Sequence, residues 1–218
     1  MSEDLAYPPA PSGAALAQFY IPATTSLQER RPRTLKHGDT FAVFDPNGDI
    51  VSGPGSPEGL YHRDTRHLSH LDLWLAGVRP MLLSSTLRDD NATLTCDLTN
   101  PDLFEDGRLV LERDLLHVRR VKFLWESSCH ERLALRNFAA EPIELALEIR
   151  FAADFADLFE VRGMQRARRG ELQATEIAPD RVTLAYEGLD GLRRTTRLRF
   201  DPAPAALDAG RAVYRFAL

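Results

Sequence analysis

The sequence predicts an all-β domain, folded as a large two-sheet antiparallel β-sandwich, and three observations carry this prediction. Short segments that alternate apolar and polar residues recur along the chain, and clusters of Gly, Pro, Asn and Asp separate them. Helical periodicity is nearly absent. About a dozen strands are more than one sheet holds comfortably, so two stacked sheets are favoured.

The clearest predicted strand covers residues 143–151. Its apolar residues stand at every second position: Ile143, Leu145, Leu147, Ile149 and Phe151. Nine residues of unbroken alternation predict a half-buried antiparallel strand with one solvated face.

The first strands are predicted on either side of a tight turn. Residues 41–44 (FAVF) precede Asn47 and Gly48, and Ile50 and Val51 follow. Asn and Gly tolerate the positive φ angles of a tight turn, so this pattern predicts a β-hairpin.

Further alternation indicates several more strands. Residues 71–75 alternate and end in Ala76-Gly77, so residues 79–84 are expected to return as the partner strand. Residues 91–98 are also strand-like, and spacings of three and four predict a turn or two of helix near residues 154–160.

Two tryptophans are assigned opposite environments by their parity. Trp125 shares a parity with Val121 and Phe123, which predicts that it faces the core. Trp74 stands on the polar parity of its strand, which predicts an outer position.

Composition narrows the possible classes of function. The 218 residues are 44% hydrophobic and 27% charged, with a net charge of -5. The acidic balance argues against nucleic-acid binding, and no apolar run approaches the roughly 20 residues of a membrane helix. The N-terminus lacks the features of a signal peptide, so a cytoplasmic protein is expected. Cys96 and Cys129 are therefore expected to be reduced thiols. No cofactor is predicted.

Proline distribution divides the chain into two parts. Residues 1–35 are rich in Pro and predict a loosely ordered arm with one short strand near residues 19–21, whereas residues 36–218 form the predicted sandwich domain. The last residues, 215–218, are apolar and strand-like, so we expect the chain to have been cut from a longer one.

Five segments together resemble one protein family. They are residues 38–41 (GDTF), 59–69 (GLYHRDTRHLS), 79–84 (RPMLLS), 97–101 (DLTNP) and 154–163 (DFADLFEVRG). In order and spacing they resemble the N-terminal domain of bacterial and archaeal glycogen-debranching enzymes of the amylo-α-1,6-glucosidase type.

This resemblance implies a β-sandwich of the supersandwich kind, followed by a C-terminal α/α barrel that carries the acid and base of a glycoside hydrolase. No paired helical pattern occurs here, so no catalytic residue is transferred to this chain. The resemblance implies a non-catalytic domain that packs on the barrel and supports it, with a branched α-glucan as a possible further partner.

Two of these segments supply the candidate contact residues for substrate or for the barrel. The first choice is Arg63, Asp64, Thr65 and Arg66, and the second choice is Asp154, Asp157, Glu160 and Arg162. Arginine beside a carboxylate lowers its pKa and makes it a poor general acid. The predicted role is therefore positioning, with the charged groups ordering a loop or an interface.

Aromatic and histidine side chains are candidates for sugar binding and for metal binding, respectively. Tyr61 and Trp74 are the possible aromatic platforms for a sugar. His62, His67 and His70 invite a metal site, but residues five apart in one strand point to opposite faces, so none is predicted.

Two other functions stay open at this stage. A stand-alone carbohydrate-binding module would show exposed, coplanar aromatic rings and bind glucan without a partner. An independent enzyme would bring two carboxylates together in one pocket.

Overall fold

The computed structural model describes residues 31–53 and 56–218, and these residues are nearly all in β-structure or its turns. The first ten strands are β1 (Arg33–His37), β2 (Thr40–Phe44), β3 (Ile50–Val51), β4 (Gly59–His62), β5 (Thr65–Leu68), β6 (His70–Leu75), β7 (Met81–Leu87), β8 (Thr93–Thr99), β9 (Leu103–Glu105) and β10 (Arg108–Leu111). The remaining elements are β11 (Leu116–Trp125), β12 (Ser128–Asn137), β13 (Glu144–Ala152), α1 (Leu158–Val161), β14 (Glu171–Leu172), β15 (Glu176–Ala178), β16 (Arg181–Glu187), β17 (Arg193–Arg199), β18 (Ala206–Leu207) and β19 (Arg211–Ala217).

The strands form several antiparallel sheets. Three have the orders β1-β2-β4-β5, β12-β11-β8-β7 and β18-β19-β13-β6-β3; β16 pairs with β14, β15 and β17 in a fourth, and β9 pairs with β10. The all-β prediction is confirmed. An arrangement in two continuous sheets is not confirmed, because the strands divide into five hydrogen-bonded groups.

The strongest alternation patterns are confirmed as strands. β13 covers the predicted segment almost completely, and β6 and β8 lie where expected. The predicted helix exists as a single turn, α1, which starts at Leu158 rather than at residue 154. Arg162 is its C-cap and is followed by Gly163 with a φ of 99°. No helix in the described ranges is long and apolar enough to cross a membrane.

The Asn-Gly turn exists, but it does not close a hairpin. Gly48 donates to the Asp45 carbonyl at 3.1 Å and has a φ of 79°. β2 pairs with β1 and β4, whereas β3 pairs with β6 in another sheet. The turn therefore carries the chain from one sheet to the next, and the hairpin prediction was wrong.

The turn at Ala76-Gly77 also fails to produce the predicted partner strand. Only Leu75 and Val78 exchange backbone hydrogen bonds there, at 2.8 and 2.9 Å. β7 then joins β8 in the sheet that contains β11, while β6 pairs with β13 and β3.

One apolar core joins these sheets. Its buried members come from strands of at least four sheets, among them Leu35, Phe44, Leu73, Leu98, Val118, Leu147 and Val182. Leu35 belongs to β1, so the last residues of the predicted arm are part of the first sheet. Residues 1–30 of that arm, including the strand predicted near residues 19–21, lie outside the described residues.

The alternate residues of β11 that are buried are not the ones predicted to be buried. Its buried residues are Leu116, Val118, Arg120, Lys122 and Leu124. Phe123 and Trp125 are 43% and 54% exposed, so the prediction of a core position for Trp125 was wrong. The physical reason is that carboxylates inside the fold neutralise the two buried cations.

Candidate domain-contact site

The two segments nominated from the sequence lie side by side, and we call residues 61–66 and 154–162 together the two-motif site. The first forms the turn between β4 and β5, and the second leads from β13 into α1. The Arg66 amide donates to the Ala156 carbonyl at 2.8 Å, and the Leu158 amide donates to the Asp64 carbonyl at 3.0 Å. Backbone hydrogen bonds therefore fix the two segments to each other.

An ion pair between Arg66 and Asp154 joins the segments at their centre. Arg66 Nε donates to Asp154 Oδ1 at 3.1 Å, and Nη2 bonds the second carboxylate oxygen. Burial disfavours the charged guanidinium, but the hydrogen bonds and charge of Asp154 outweigh it and raise the pKa of Arg66. This bidentate geometry suits orientation and cross-linking of two loops.

Gly59 makes room for the Arg66 side chain. A Cβ atom at this position would lie 2.6 Å from Cδ of Arg66 and 2.9 Å from Cε2 of Tyr61. Neither atom moves freely, because Arg66 is held by Asp154 and Tyr61 is buried. The glycine at the start of β4 is therefore required by the packing of the ion pair.

Asp157 and Glu160 cap the start of α1. Asp157 accepts hydrogen bonds from the amides of Phe159 and Glu160, and Glu160 accepts one from the Asp157 amide at 3.0 Å. This reciprocal arrangement is a capping box. Burial opposes ionisation of Asp157, but the helix amides and Arg166 together outweigh it, so the pKa of Asp157 is lowered.

Two arginines that follow α1, Arg166 and Arg169, supply partners for these acids. Arg166 pairs with Asp157, and Arg169 Nε lies 2.8 Å from Glu160 Oε1. Arg169 also donates to the Asp154 carbonyl at 2.7 Å. The three acidic residues of the segment are therefore engaged in caps and ion pairs, which fits positioning and argues against acid–base chemistry at this site.

The outer side of the two-motif site presents unmatched groups to solvent. Arg63, Asp64 and Arg162 are exposed, and Phe159 is exposed beside them on α1. Arg63 has a φ of 52°, a left-handed conformation that is uncommon outside glycine and concentrates at functional loops. This surface combines charge with an apolar ring, as protein contact surfaces do.

Thr65 faces a third segment of the chain. Its Oγ1 accepts a hydrogen bond from Arg194 Nε at 3.3 Å, which ties the β4–β5 turn to β17. Thr65 is half-buried, so its part in any contact is structural support.

The two predicted sugar platforms are poorly placed for that role. Tyr61 is 1% exposed, its ring stacks on Phe41 and its hydroxyl donates to the Pro57 carbonyl, so no face is open to a sugar. Trp74 is half-buried, and the guanidinium carbons of Arg150 and Arg79 lie 4.1 and 5.4 Å from its ring centroid.

The histidines occupy positions that strand periodicity did not predict. His62 and His67 lie on paired strands with ring centroids 6.2 Å apart, because the turn at residues 63–64 interrupts the strand between them. Thr40 Oγ1 is hydrogen-bonded to His62 at 2.9 Å, and His70 Nε2 lies 3.1 Å from an Asp72 oxygen. Among the described residues, no three His, Cys, Asp or Glu side chains are placed to share a metal ion.

A second charged group lies inside the fold, and sequence reasoning missed it. We call Asp45, Asp49, Arg120, Lys122 and Glu131 the interior charge cluster. Arg120 pairs with Asp49, donates to Glu131 at 2.7 Å and reaches the Asn47 carbonyl at 3.0 Å, while Lys122 pairs with Glu131. The available signal was the placement of Arg120 and Lys122 on the parity of Leu116, Val118 and Leu124.

The pKa values of two carboxyl groups in the cluster, Asp45 and Glu131, are shifted in opposite directions. Burial and the neighbouring Asp49 raise the pKa of Asp45 to about 6. Burial also opposes ionisation of Glu131, but Arg120 and Lys122 outweigh it and lower the pKa to about 2.

A cavity of about 860 Å³ opens beside this cluster. Its walls are mainly apolar, including Leu133, Leu147 and Phe200, and Glu131 lines it from β12. A carboxyl group with a pKa of about 2 stays ionised, so Glu131 is unsuited to act as a general acid there.

Fold and site together define an all-β domain whose two signature segments are locked into one surface by ion pairs and caps. Comparison with known families gives a match over residues 35–218 to a family described as the N-terminal domain of (some) glycogen debranching enzymes. The chain belongs to this family, and the resemblance noted from the sequence is confirmed. A search of curated proteins finds no significant match.

Proposed function

We propose that this chain is the non-catalytic N-terminal domain of an α-1,6-glucosidase of the glycogen-debranching type. It packs on a glucan-hydrolysing α/α-barrel domain through the outer side of the two-motif site. The observation that carries this proposal is that the two most specific segments converge on one surface, although 88 residues separate Arg66 from Asp154.

The chemistry of the surface supports a positioning role. Its carboxylates are engaged by arginines and helix amides, whereas Arg63, Asp64 and Arg162 remain directed to solvent. Rigid backbone contacts between the two segments hold these groups in place before a partner binds. Such preorganisation lowers the entropic cost of association.

The proposal is tested by mixing this chain with the separately purified α/α-barrel domain of a debranching enzyme of the same family. We expect a complex by isothermal titration calorimetry and a higher melting temperature of the barrel. Replacing Arg63 and Asp64 together by Ala should weaken binding by about tenfold or more.

The chain offers a matched control in a second exposed Arg-Asp pair. Arg88 and Asp89 lie in the turn between β7 and β8, and replacing both by Ala should leave the affinity unchanged. Equal losses for the two double variants, or no complex with the unmodified chain, would refute the proposed contact surface.

A further inference from the structure

The outer face of the sheet that contains β11 carries the exposed residues Phe123, Trp125 and His130, and the half-buried His37 at the end of β1 packs against them. We call these four residues the outer aromatic face. Phe123 and Trp125 stand two residues apart on one strand, so both rings project from the same side. Both are substantially exposed, as described above, while the opposite side of the strand buries charge. Two large exposed rings side by side form an apolar surface of the kind that marks an interaction site.

Histidines hold the two rings in place. His130 lies directly across from Phe123 on β12, with ring centroids 4.8 Å apart and planes 13° apart. His37 on β1 lies 4.8 Å from Trp125 at a tilt of 42°. His130 covers one face of Phe123, so Trp125 is the more open of the two restrained rings. Rings restrained in this way are preorganised for a ligand.

The same face continues into a polar group along the strand. Asp97 on β8 is bonded to His117 Nε2 at 2.9 Å, to Arg119 Nε at 3.0 Å and to Ser84 Oγ at 3.2 Å. Burial opposes ionisation of Asp97, but its bonds to Arg119 and His117 outweigh this and lower its pKa. The group offers both hydrogen-bond donors and a permanent acceptor.

We propose that this face binds an α-glucan chain, whose pyranose rings stack on Phe123 and Trp125 while hydroxyl groups bond to Asp97 and Arg119. From Trp125 to His117 the strand rises about 26 Å, enough for several sugar units. The choice of glucan as ligand rests on the function proposed above. A sugar offers both an apolar ring face and hydroxyl groups, which matches the two halves of this surface.

Two further arginines on this face can donate hydrogen bonds to sugar hydroxyl groups. Arg132 and Arg136 lie across from Val121 and His117, so they share the outer face. Within residues 31–53 and 56–218, neither arginine has a carboxylate within salt-bridge distance. Glucan hydroxyl groups can accept hydrogen bonds from both guanidinium groups.

The first test uses the fluorescence of Trp125. The chain has two tryptophans, so a Trp74→Phe variant leaves Trp125 as the sole indole reporter. Titration with maltoheptaose and with glycogen, in the absence of any other domain, should quench or shift its emission saturably. An unchanged emission at all concentrations would overturn the proposal.

The second test compares exposed aromatic residues by affinity electrophoresis in gels that contain glycogen. Trp125→Ala should raise the dissociation constant by about tenfold or more. Phe104→Ala is the matched control, because Phe104 is 64% exposed on β9, and it should bind as the unmodified chain does. Equal retardation of all three proteins would overturn the proposal.

A third experiment distinguishes the glucan-binding proposal from the proposed contact with the barrel domain. If the α/α-barrel domain shifts Trp125 emission and glycogen does not, the face is a protein interface and the glucan proposal is wrong. If glycogen binds but the barrel does not, the glucan site stands and the proposed domain contact fails.

Discussion

Two arginine-centred networks in this domain use the same chemistry in different surroundings. Arg66 joins Asp154 across 88 residues of sequence at the two-motif site, and Arg120 joins Asp49 across 71 residues in the interior charge cluster. In both cases a buried guanidinium bonds to a carboxylate from a distant segment. The networks differ in what surrounds them, because the first lies beneath an exposed turn and the second beneath a sheet.

The difference teaches what each network can do. In the interior cluster, Arg120 and Lys122 bond to carboxylates inside the fold and neither cation faces solvent. At the two-motif site the ion pair fixes two loops, and the neighbouring Arg63 and Asp64 remain exposed. The interior cluster is therefore suited only to a structural role in the fold. The two-motif site is suited to presenting charged groups to a partner.

The largest effect should follow from breaking the interior cluster. Arg120→Met leaves Asp49 buried without its cation, and removing one partner of a buried pair costs about 3–5 kcal/mol of unfolding free energy. Urea unfolding at pH 7 measures this loss.

Arg119 is the matched control, because it lies next to Arg120 but points outward and pairs with Asp97 on the surface. Arg119→Met should cost about 0–1 kcal/mol, the usual value of an exposed pair. Similar losses for the two variants would show that burial does not distinguish the networks.

A smaller loss is expected at the two-motif site. Asp154→Asn keeps the shape of the side chain but removes the charge opposite Arg66, and a hydrogen bond to a charged group is worth about 1.5–3 kcal/mol. The same unfolding experiment measures it, with Glu176→Gln as the control.

Glu176 pairs with Arg193 at 3.7 Å, and both side chains are well exposed. Its replacement should change the unfolding free energy by less than about 0.5 kcal/mol. A loss for Asp154→Asn as small as that of the control would mean that the ion pair does not hold the two segments together.

The sequence predicted strands well where one parity was purely apolar. β13 and β6 lie as expected because their apolar residues have a single buried face to fill. β11 was read with the wrong face inward because both of its parities mix apolar and charged residues. Alternation alone cannot show that carboxylates from β12 and from the turn before β3 will neutralise Arg120 and Lys122.

The sequence nominated the residues of the candidate site but did not indicate their geometry. The resemblance nominated both segments, yet no spacing rule brings Arg66 to Asp154, because their contact depends on pairing between strands far apart in the chain. The geometry of the proposed sugar platforms was hidden for a related reason: Tyr61 and Trp74 were chosen by residue type and parity, while neighbouring side chains decide which ring faces stay open.

The smallest predicted effect depends on pH and lies inside the cluster. The pKa of Asp45 is raised from 3.8 to about 6, so the folded state binds its proton more tightly than the unfolded state does. Stability from this group is therefore fully present below about pH 4 and is lost as the pH rises through about 6. Asp45→Asn should match the unmodified chain near pH 4 and be more stable at pH 8.

The expected gain is about 1–2 kcal/mol, below the roughly 3 kcal/mol of a two-unit shift, because Asp45 keeps some contact with water. Glu131→Gln gives the opposite sign. Its pKa is lowered to about 2, so its contribution is present above about pH 4.5 and lost only as the pH falls through 2. Urea unfolding at pH 4 and pH 8 measures the effect of Asp45→Asn, and unfolding at pH 3 and pH 8 measures that of Glu131→Gln. A gain for Asp45→Asn that is equal at both pH values would show that relief of a buried charge is not its cause.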